Sequence, residues 1–170
     1  MNTTNNTVQK IVEKLDLLPH PEGGFYKENY RSSEFIKQPH LPNRFSGDRN
    51  FSTAIYFLLT SGNFSAFHRI QQDEVWHFYE GSPLNVHVIT PEGNYTKHKV
   101  GHIHQGLQPQ LIVPKGCWFA SNIDEEDSYT LVGCTVAPGF DFSDFELAVE
   151  KDLSKLYPQH SHIINQLTRS

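Results

Sequence analysis

Gly62-Asn63-Phe64-Ser65-Ala66-Phe67-His68-Arg69-Ile70-Gln71-Gln72-Asp73-Glu74-Val75-Trp76-His77-Phe78-Tyr79-Glu80-Gly81 is the stretch on which the fold turns. Two runs rich in apolar and aromatic residues, 65–70 and 75–79, flank a polar turn. Glycines close the segment at both ends, which is the pattern of adjoining antiparallel strands. Side chains alternate faces along a strand. If His68 faces inward, so do Ala66 and Ile70, and on the next strand Glu74 faces inward with Trp76 and Phe78. One imidazole and one carboxylate then share an apolar, ring-lined interior. Burying the charged form of either is costly unless they pair or bind a cation. His68 and Glu74 are therefore the candidate catalytic residues.

The flanking sequence extends the same pattern. Residues 26–31, 52–59, 84–90, 95–100, 110–113, 118–121 and 129–137 also read as strands, separated by Gly62-Asn63, Gly81-Ser82-Pro83, Pro91-Glu92-Gly93-Asn94, Pro114-Lys115-Gly116 and Pro138-Gly139. Many short strands at this spacing make a mainly β sandwich or barrel. Val8, Ile11, Val12, Leu15 and Leu18 follow helical spacing, predicting a helix over 7–18 that Thr7 caps and Pro19 and Pro21 stop. Ser143-x-x-Glu146 reads as a capping box opening a helix over 144–156, broken by Pro158. Residues 33–50 read as a long loop, the kind that serves as a lid over a barrel mouth. The expectation is one domain over 1–170, with the barrel at 22–142 and short helices at each end. The N-terminal helix and first strand are expected to extend across a partner, as cover for an open edge.

The 170 residues suffice for a single core, and a net charge of -5 with scattered signs argues against a nucleic-acid partner. No apolar run approaches the length of a membrane span. The polar start Met1–Thr7 lacks the order of a signal peptide, so the expected location is the cytoplasm. Cys117 and Cys134 lie in apolar strand contexts and read as buried, inert thiols.

Three chemistries suit His68 and Glu74. A catalytic metal wants three protein ligands and an open position. His68 and Glu74 supply two, and His77 would be the third only if its strand bulges. A metal-free His–carboxylate pair can instead move a proton beside a carbonyl, with Tyr26, Tyr30, Tyr56 or Tyr79 returning it. The pair can also be simply hydrogen-bonded within a binding or structural barrel. His102-Ile103-His104 lacks a third ligand and reads as an exposed strand end, and His160-Ser161-His162 as a solvated tail. Pro21-Glu22-Gly23-Gly24 reads as a turn. In Pro138-Gly139-Phe140-Asp141-Phe142-Ser143-Asp144-Phe145-Glu146, alternation buries the rings. Asp144 and Glu146 fit the first turn of the helix, while Asp141 could sit at the barrel mouth paired with Arg31.

Blocks spanning about Leu17 to Ala148 resemble the uncharacterised cupin-five branch of the cupin superfamily. They include His20-Pro21-Glu22-Gly23-Gly24-Phe25-Tyr26, Tyr30-Arg31-Ser32, Thr53-Ala54-Ile55-Tyr56-Phe57-Leu58-Leu59, Val113-Pro114-Lys115-Gly116-Cys117-Trp118 and Gly133-Cys134-Thr135-Val136-Ala137-Pro138-Gly139-Phe140-Asp141-Phe142. Against the first cupin motif, G-x5-H-x-H-x3-E-x6-G, the chain keeps Gly62, His68, Glu74 and Gly81 but has Ile70 for the second histidine. Against the second, Phe119 stands where histidine belongs. The resemblance implies a jelly-roll double-stranded β-helix with an open cavity, usually dimeric, similar in shape to deoxy-sugar 3,5-epimerases that use a histidine base without metal.

The leading expectation is a cavity binding a small polar ligand, sugar-like or nucleotide-sugar-like, with isomerase or epimerase chemistry and no cofactor. Trp76, Phe78, Trp118, Tyr30, Arg31 and Asp141 are the candidate ligand contacts. The alternatives are a metal-dependent dioxygenase or isomerase holding a divalent metal on His68, Glu74 and His77, or a non-catalytic module. A homodimer without membrane or nucleic-acid partners completes the set.

Overall fold

A computed structural model describes residues 3–169. Helix α1 (Thr3–Leu15) leads into the short strand β1 (Leu18–Pro19) and then β2 (Phe25–Arg31). A small hairpin follows, β3 (Phe35–Ile36) with β4 (Arg49–Asn50). The main strands are β5 (Thr53–Thr60), β6 (Phe64–Arg69), β7 (Asp73–Gly81), β8 (Leu84–Ile89), β9 (Tyr95–Val100), β10 (Gln110–Val113), β11 (Trp118–Ile123) and β12 (Tyr129–Ala137). The chain ends with β13 (Glu146–Leu147), α2 (Glu150–Leu156) and α3 (Ser161–Gln166).

The strands form a six-stranded sheet, β1-β2-β5-β12-β7-β10, and a five-stranded sheet, β13-β6-β11-β8-β9. All ladders within them are antiparallel. Consecutive strands switch between the sheets, β5 to β6 and β6 to β7, as a jelly roll requires. The sheets pack face to face over a core that includes Phe57, Leu59, Trp76, Val86, Phe119 and Val132. This is the mainly β jelly roll expected from the strand pattern, and its two sheets are not closed into a continuous barrel.

The outer face of the five-stranded sheet is also buried. Phe67, Ile89, Trp118 and Ala120 pack beneath Ala148, Leu153, Ile164 and Leu167 from the C-terminal segment. Residues 158–166 are therefore not a solvated tail. Pro158–His160 is a helical turn, and His160 Nε2 bonds the Gly93 carbonyl at 2.8 Å. At the other terminus, α1 starts before residue 7 and ends at Leu15. Asp16 with φ 53° turns the chain back, and Leu17 N–H bonds the Val12 carbonyl. Val8, Ile11, Val12 and Leu15 pack on Leu17, Leu58 and Leu131 of the same chain. The first helix thus covers part of its own six-stranded sheet.

Two further expectations are corrected by one ion pair. Asp144 does not sit in the first turn of a long helix. The sequence Phe142–Asp144 is a short helical turn, Glu146 and Leu147 pair with β6, and α2 begins only at Glu150. Asp144 is instead buried against Arg49, with Nε···Oδ2 2.7 Å and Nη2···Oδ1 2.6 Å, and Gln72 Nε2 donates to Oδ2 at 2.7 Å. The bidentate pair ties the long connection over 33–50 to the turn Phe142–Asp144 that follows β12. That connection is ordered by its own buried Leu41 and Phe45 and contributes no residue to the cavity lining, so it is not a lid.

Removing one partner of a buried pair strands the other charge, so Asp144→Ala is expected to cost about 3–5 kcal/mol in urea-unfolding stability. A loss below about 1 kcal/mol would show the pair to be dispensable.

Candidate functional site

The space between the sheets is not filled throughout. A cavity of about 410 Å³ remains, walled by Ile55, Phe57, Ile70, Val136, Phe140 and Phe145. His20, Glu22, His68 and Glu74 bring the polar groups to it, with Tyr26 and Cys134 beside them.

His68 owes its position to a bulge. Along the β6–β11 ladder Phe119 faces His68, but the next paired residues are Ser121 and Ser65, so β6 carries one extra residue. The bulge frees the Ala66 backbone from the ladder. Its N–H donates to the Glu22 carbonyl at 2.8 Å, and its carbonyl bonds His68 Nδ1 at 2.7 Å. The turn Pro21–Gly24 docks on this gap. Gly23 has φ 115°, and a side-chain carbon there would lie 2.2 Å from the Phe64 carbonyl oxygen. From outside, Arg169 clamps the turn, donating to the Glu22 and Phe64 carbonyls at 3.2 and 2.8 Å.

This docking sets the Glu22 carboxylate against His68, with Oε2···Nε2 2.9 Å. The ion-pair partner of His68 is therefore Glu22, not Glu74. Both ring nitrogens of His68 are engaged, and its ring packs at 4.1 Å from Phe119 and 5.3 Å from Phe145. Burial works against the charged imidazole, but the Glu22 charge and hydrogen bond outweigh it, aided by Glu74 and the Ala66 carbonyl, and hold His68 above its ordinary pKa. Burial likewise opposes ionised Glu22, yet the His68 charge and bond, with His20, keep it below the usual carboxylate value. His20 accepts the Glu22 N–H at Nδ1, 3.3 Å. Burial first, then the neighbouring His68 charge, hold His20 below its ordinary pKa despite Glu22. Its ring is thus neutral near pH 7, with the proton on Nε2.

Glu74 is left as the second carboxyl. Burial pushes its pKa up to about 7, the Glu22 charge adds to this, and the His68 charge and Cys134 thiol offset it only in part. Glu22 and Glu74 thus differ in state, one ionised in a pair and one titrating at neutral pH.

The remaining candidates separate clearly. Arg31 and Asp141 line the cavity. Arg31 pairs with Glu28, Nε···Oε1 and Nη2···Oε2 both 2.8 Å, rather than forming a direct bond to Asp141, which accepts from the Ser143 N–H and hydroxyl. Trp76 faces inward as alternation requires but fills the core between Phe57 and Phe119, outside the cavity lining. Phe78 lies against His102, ring centroids 4.7 Å apart. Trp118 is on the opposite sheet face under the C-terminal helices, stacked by Arg69. Tyr30 is 53% exposed, and of the four tyrosines only Tyr26 lines the cavity. His77 turns away from the face of Glu74, with Nε2 3.2 Å from Thr135 Oγ1 and Nδ1 3.2 Å from Gln110. The β7 bulge falls later, between the Phe78 and Glu80 pairings, and leaves His77 in regular alternation.

These donors do not fit a divalent cation. Ile70 and Phe119 are hydrocarbon at two of the four cupin ligand positions, and both nitrogens of His68 are bonded. Among the described residues no three His, Cys, Asp or Glu side chains come together to hold a metal.

Sequence reasoning missed Glu22, His20 and Cys134. Cys134 is buried and free as expected, but it faces Glu74, whose proximity with burial raises its pKa well above the usual thiol value. A signal for Glu22 was present: an acid two residues after an imidazole, followed by two glycines that admit close backbone approach.

Comparison with known proteins places the chain in a family. The model of the family described as Cupin superfamily (DUF985) matches residues 9–148. An uncharacterised protein of Saccharomyces cerevisiae is 32% identical over 149 residues, covering 82% of this chain and 74% of that protein. A protein of Shewanella oneidensis of known structure is 39% identical with TM-score 0.83, covering 99% of this chain and 98% of that one. A hypothetical protein from Leishmania major is 35% identical with TM-score 0.85, covering 95% and 98%. Oxalate decarboxylase from Bacillus subtilis, at 14% identity and TM-score 0.54 over 88% of this chain and 36% of that one, shares the fold alone. With the jelly roll, the altered ligand positions and these matches in place, the chain belongs to the DUF985 family of the cupin superfamily.

Proposed function

We propose that the cavity carries out metal-free acid–base chemistry on a small, polar, sugar-like molecule, moving a proton on a carbon beside a carbonyl as isomerases and epimerases do. The observation that carries this reading is Glu74, a buried carboxyl on the cavity wall whose pKa rises to about 7. A proton-transfer group works best when its pKa lies near the operating pH. Ionised Glu74 takes the proton from carbon, the C–H pair becomes a carbon–carbon double bond while the carbonyl π pair moves to oxygen, and protonated Glu74 returns the proton to the neighbouring carbon as the hydroxyl there gives its proton to the first oxygen and becomes the new carbonyl.

The oxygen needs a donor. The cavity offers the Nε2–H of neutral His20 and the Tyr26 hydroxyl, two groups whose rings pack edge-on at 4.5 Å. Such donors stabilise a developing enolate best where water is excluded. His68 has no free nitrogen for substrate, so the histidine-base role implied by the epimerase resemblance passes to Glu74. His68 is a positioning residue that fixes Glu22 and keeps that carboxylate charged. The Glu22 charge in turn helps hold Glu74 near neutrality.

Solvent-deuterium wash-in across a panel of ketoses and aldoses, followed by NMR, tests the reading. Wild-type protein is expected to place deuterium on carbon in at least one sugar, and Glu74→Gln to slow this by about 10²–10⁴-fold. Sugars that bind and return unlabelled would leave a non-catalytic binding module.

The pH profile gives a second test. As a base Glu74 must be ionised, so the rate is expected to rise with pH through about 7. The Cys134 thiol lowers the Glu74 pKa, so Cys134→Val is expected to move that ascending limb to higher pH. An unmoved limb would assign it to another group.

A further inference from the structure

The cavity lining carries more acid than base. Glu22 and His68 offset one another. Arg31, the arginine of the lining, is bound on both sides of its guanidinium. Besides its two bonds to Glu28, Nη1 donates to Asn50 Oδ1 at 2.7 Å and Nη2 to the Phe140 carbonyl at 3.0 Å. Among the described residues no lysine lines the cavity. Arg49, whose charge also reaches Asp141, is held in the buried pair with Asp144. Among the described residues, Asp141 and Glu74 thereby have no direct ion-pair partner, although the arginines act on Asp141 and the His68 charge acts on Glu74 from a distance. The hydrogen bonds from Ser143, then the nearby arginines, hold Asp141 below the usual carboxylate pKa, so it is charged at neutral pH.

We infer that the ligand is an uncharged, unphosphorylated sugar-like molecule, and that sugar phosphates and nucleotide-linked sugars are excluded, because each cation of the lining already holds an acid of the chain. This rests on the reading of the cavity as a sugar-like ligand site and narrows its substrate class. A phosphate recognised by a protein is met by free guanidinium, ammonium or a row of backbone N–H groups. Here an incoming phosphate would have to displace Glu28 from Arg31 while approaching Asp141. The walls suit a neutral guest. Phe57, Phe140 and Tyr26 bring aromatic surface to the cavity, and Glu74, Asp141 and Thr53 bring acceptors and a hydroxyl for sugar hydroxyls. The volume of about 410 Å³ lies at the small end of the range for ligand sites, which leaves little room for a nucleotide.

The test compares matched series on the full chain by ligand-observed and ¹⁵N-imidazole NMR. One series is glucose, galactose, mannose, fucose and rhamnose. The other is their 1-phosphates with UDP-glucose and dTDP-glucose. At least one free sugar is expected to perturb His68 and His20, at concentrations roughly tenfold or more below any phosphorylated relative, a ratio of about 1.4 kcal/mol. Asp141→Asn is expected to narrow that ratio. A phosphorylated or nucleotide-linked sugar binding as well as its free relative would overturn the inference, and so would silence from both series. A free sugar that binds but takes up no deuterium would uphold this inference while defeating the proposed chemistry.

Discussion

The ion pair between Glu22 and His68 is the constraint around which the cavity is organised. A buried carboxylate and a buried imidazolium are each costly alone, and together they are tolerable only with good geometry and their other atoms bonded. That condition is met by the 2.9 Å contact and by the Ala66 carbonyl on the far ring nitrogen. The pair then determines its neighbours. His20, beside a positive ring and away from water, is held neutral. Glu74, beside a negative carboxylate and equally buried, is held close to half-protonation at neutral pH.

Backbone features make the pair possible. The β6 bulge costs the sheet a regular bond but supplies the N–H on which the Glu22 turn docks and the carbonyl that orients His68. Gly23 and Gly24, at φ 115° and 74°, let the turn lie against the neighbouring strands without a side chain intervening. Arg169 closes the arrangement from the C-terminus, stacked at 4.4 Å on Phe64. Chain segments from both ends thus meet at one turn. Ile70 and Phe119 stand at two of the four cupin ligand positions, and His68 is paired with Glu22 beside them.

The architecture was legible in the sequence because strand alternation and glycine or proline turns are local signals. His68, Ile70 and Glu74 face inward as alternation requires, and Arg31 and Asp141 both line the cavity, but Arg31 bonds Glu28 rather than Asp141. The rest depended on long-range contacts. Glu22 meets His68 across 46 residues of chain (68 less 22), through a bulge that simple alternation does not contain. Trp76 and Trp118 are both apolar strand residues, but whether such a residue lines a cavity, fills a core or faces a helix depends on which element covers it. The C-terminal helices, which bury Trp118, gave only a weak periodic signal. Ser143-x-x-Glu146 looked like a helix start, yet Arg49, 95 residues away, claims Asp144 and draws the segment into a strand first.

The assignment of charge within the cavity is the centre of this account. The most direct measurement is an NMR pH titration of the full chain, following the side-chain carboxyl carbons of Glu22 and Glu74 and the ring nitrogens of His68. Glu74 is expected to titrate at about 7, Glu22 to stay ionised below 4.5, and His68 to keep both ring protons above pH 6.5. A Glu74 carboxyl ionising at the ordinary 4.5, or a neutral His68 with one bare nitrogen at neutral pH, would contradict it.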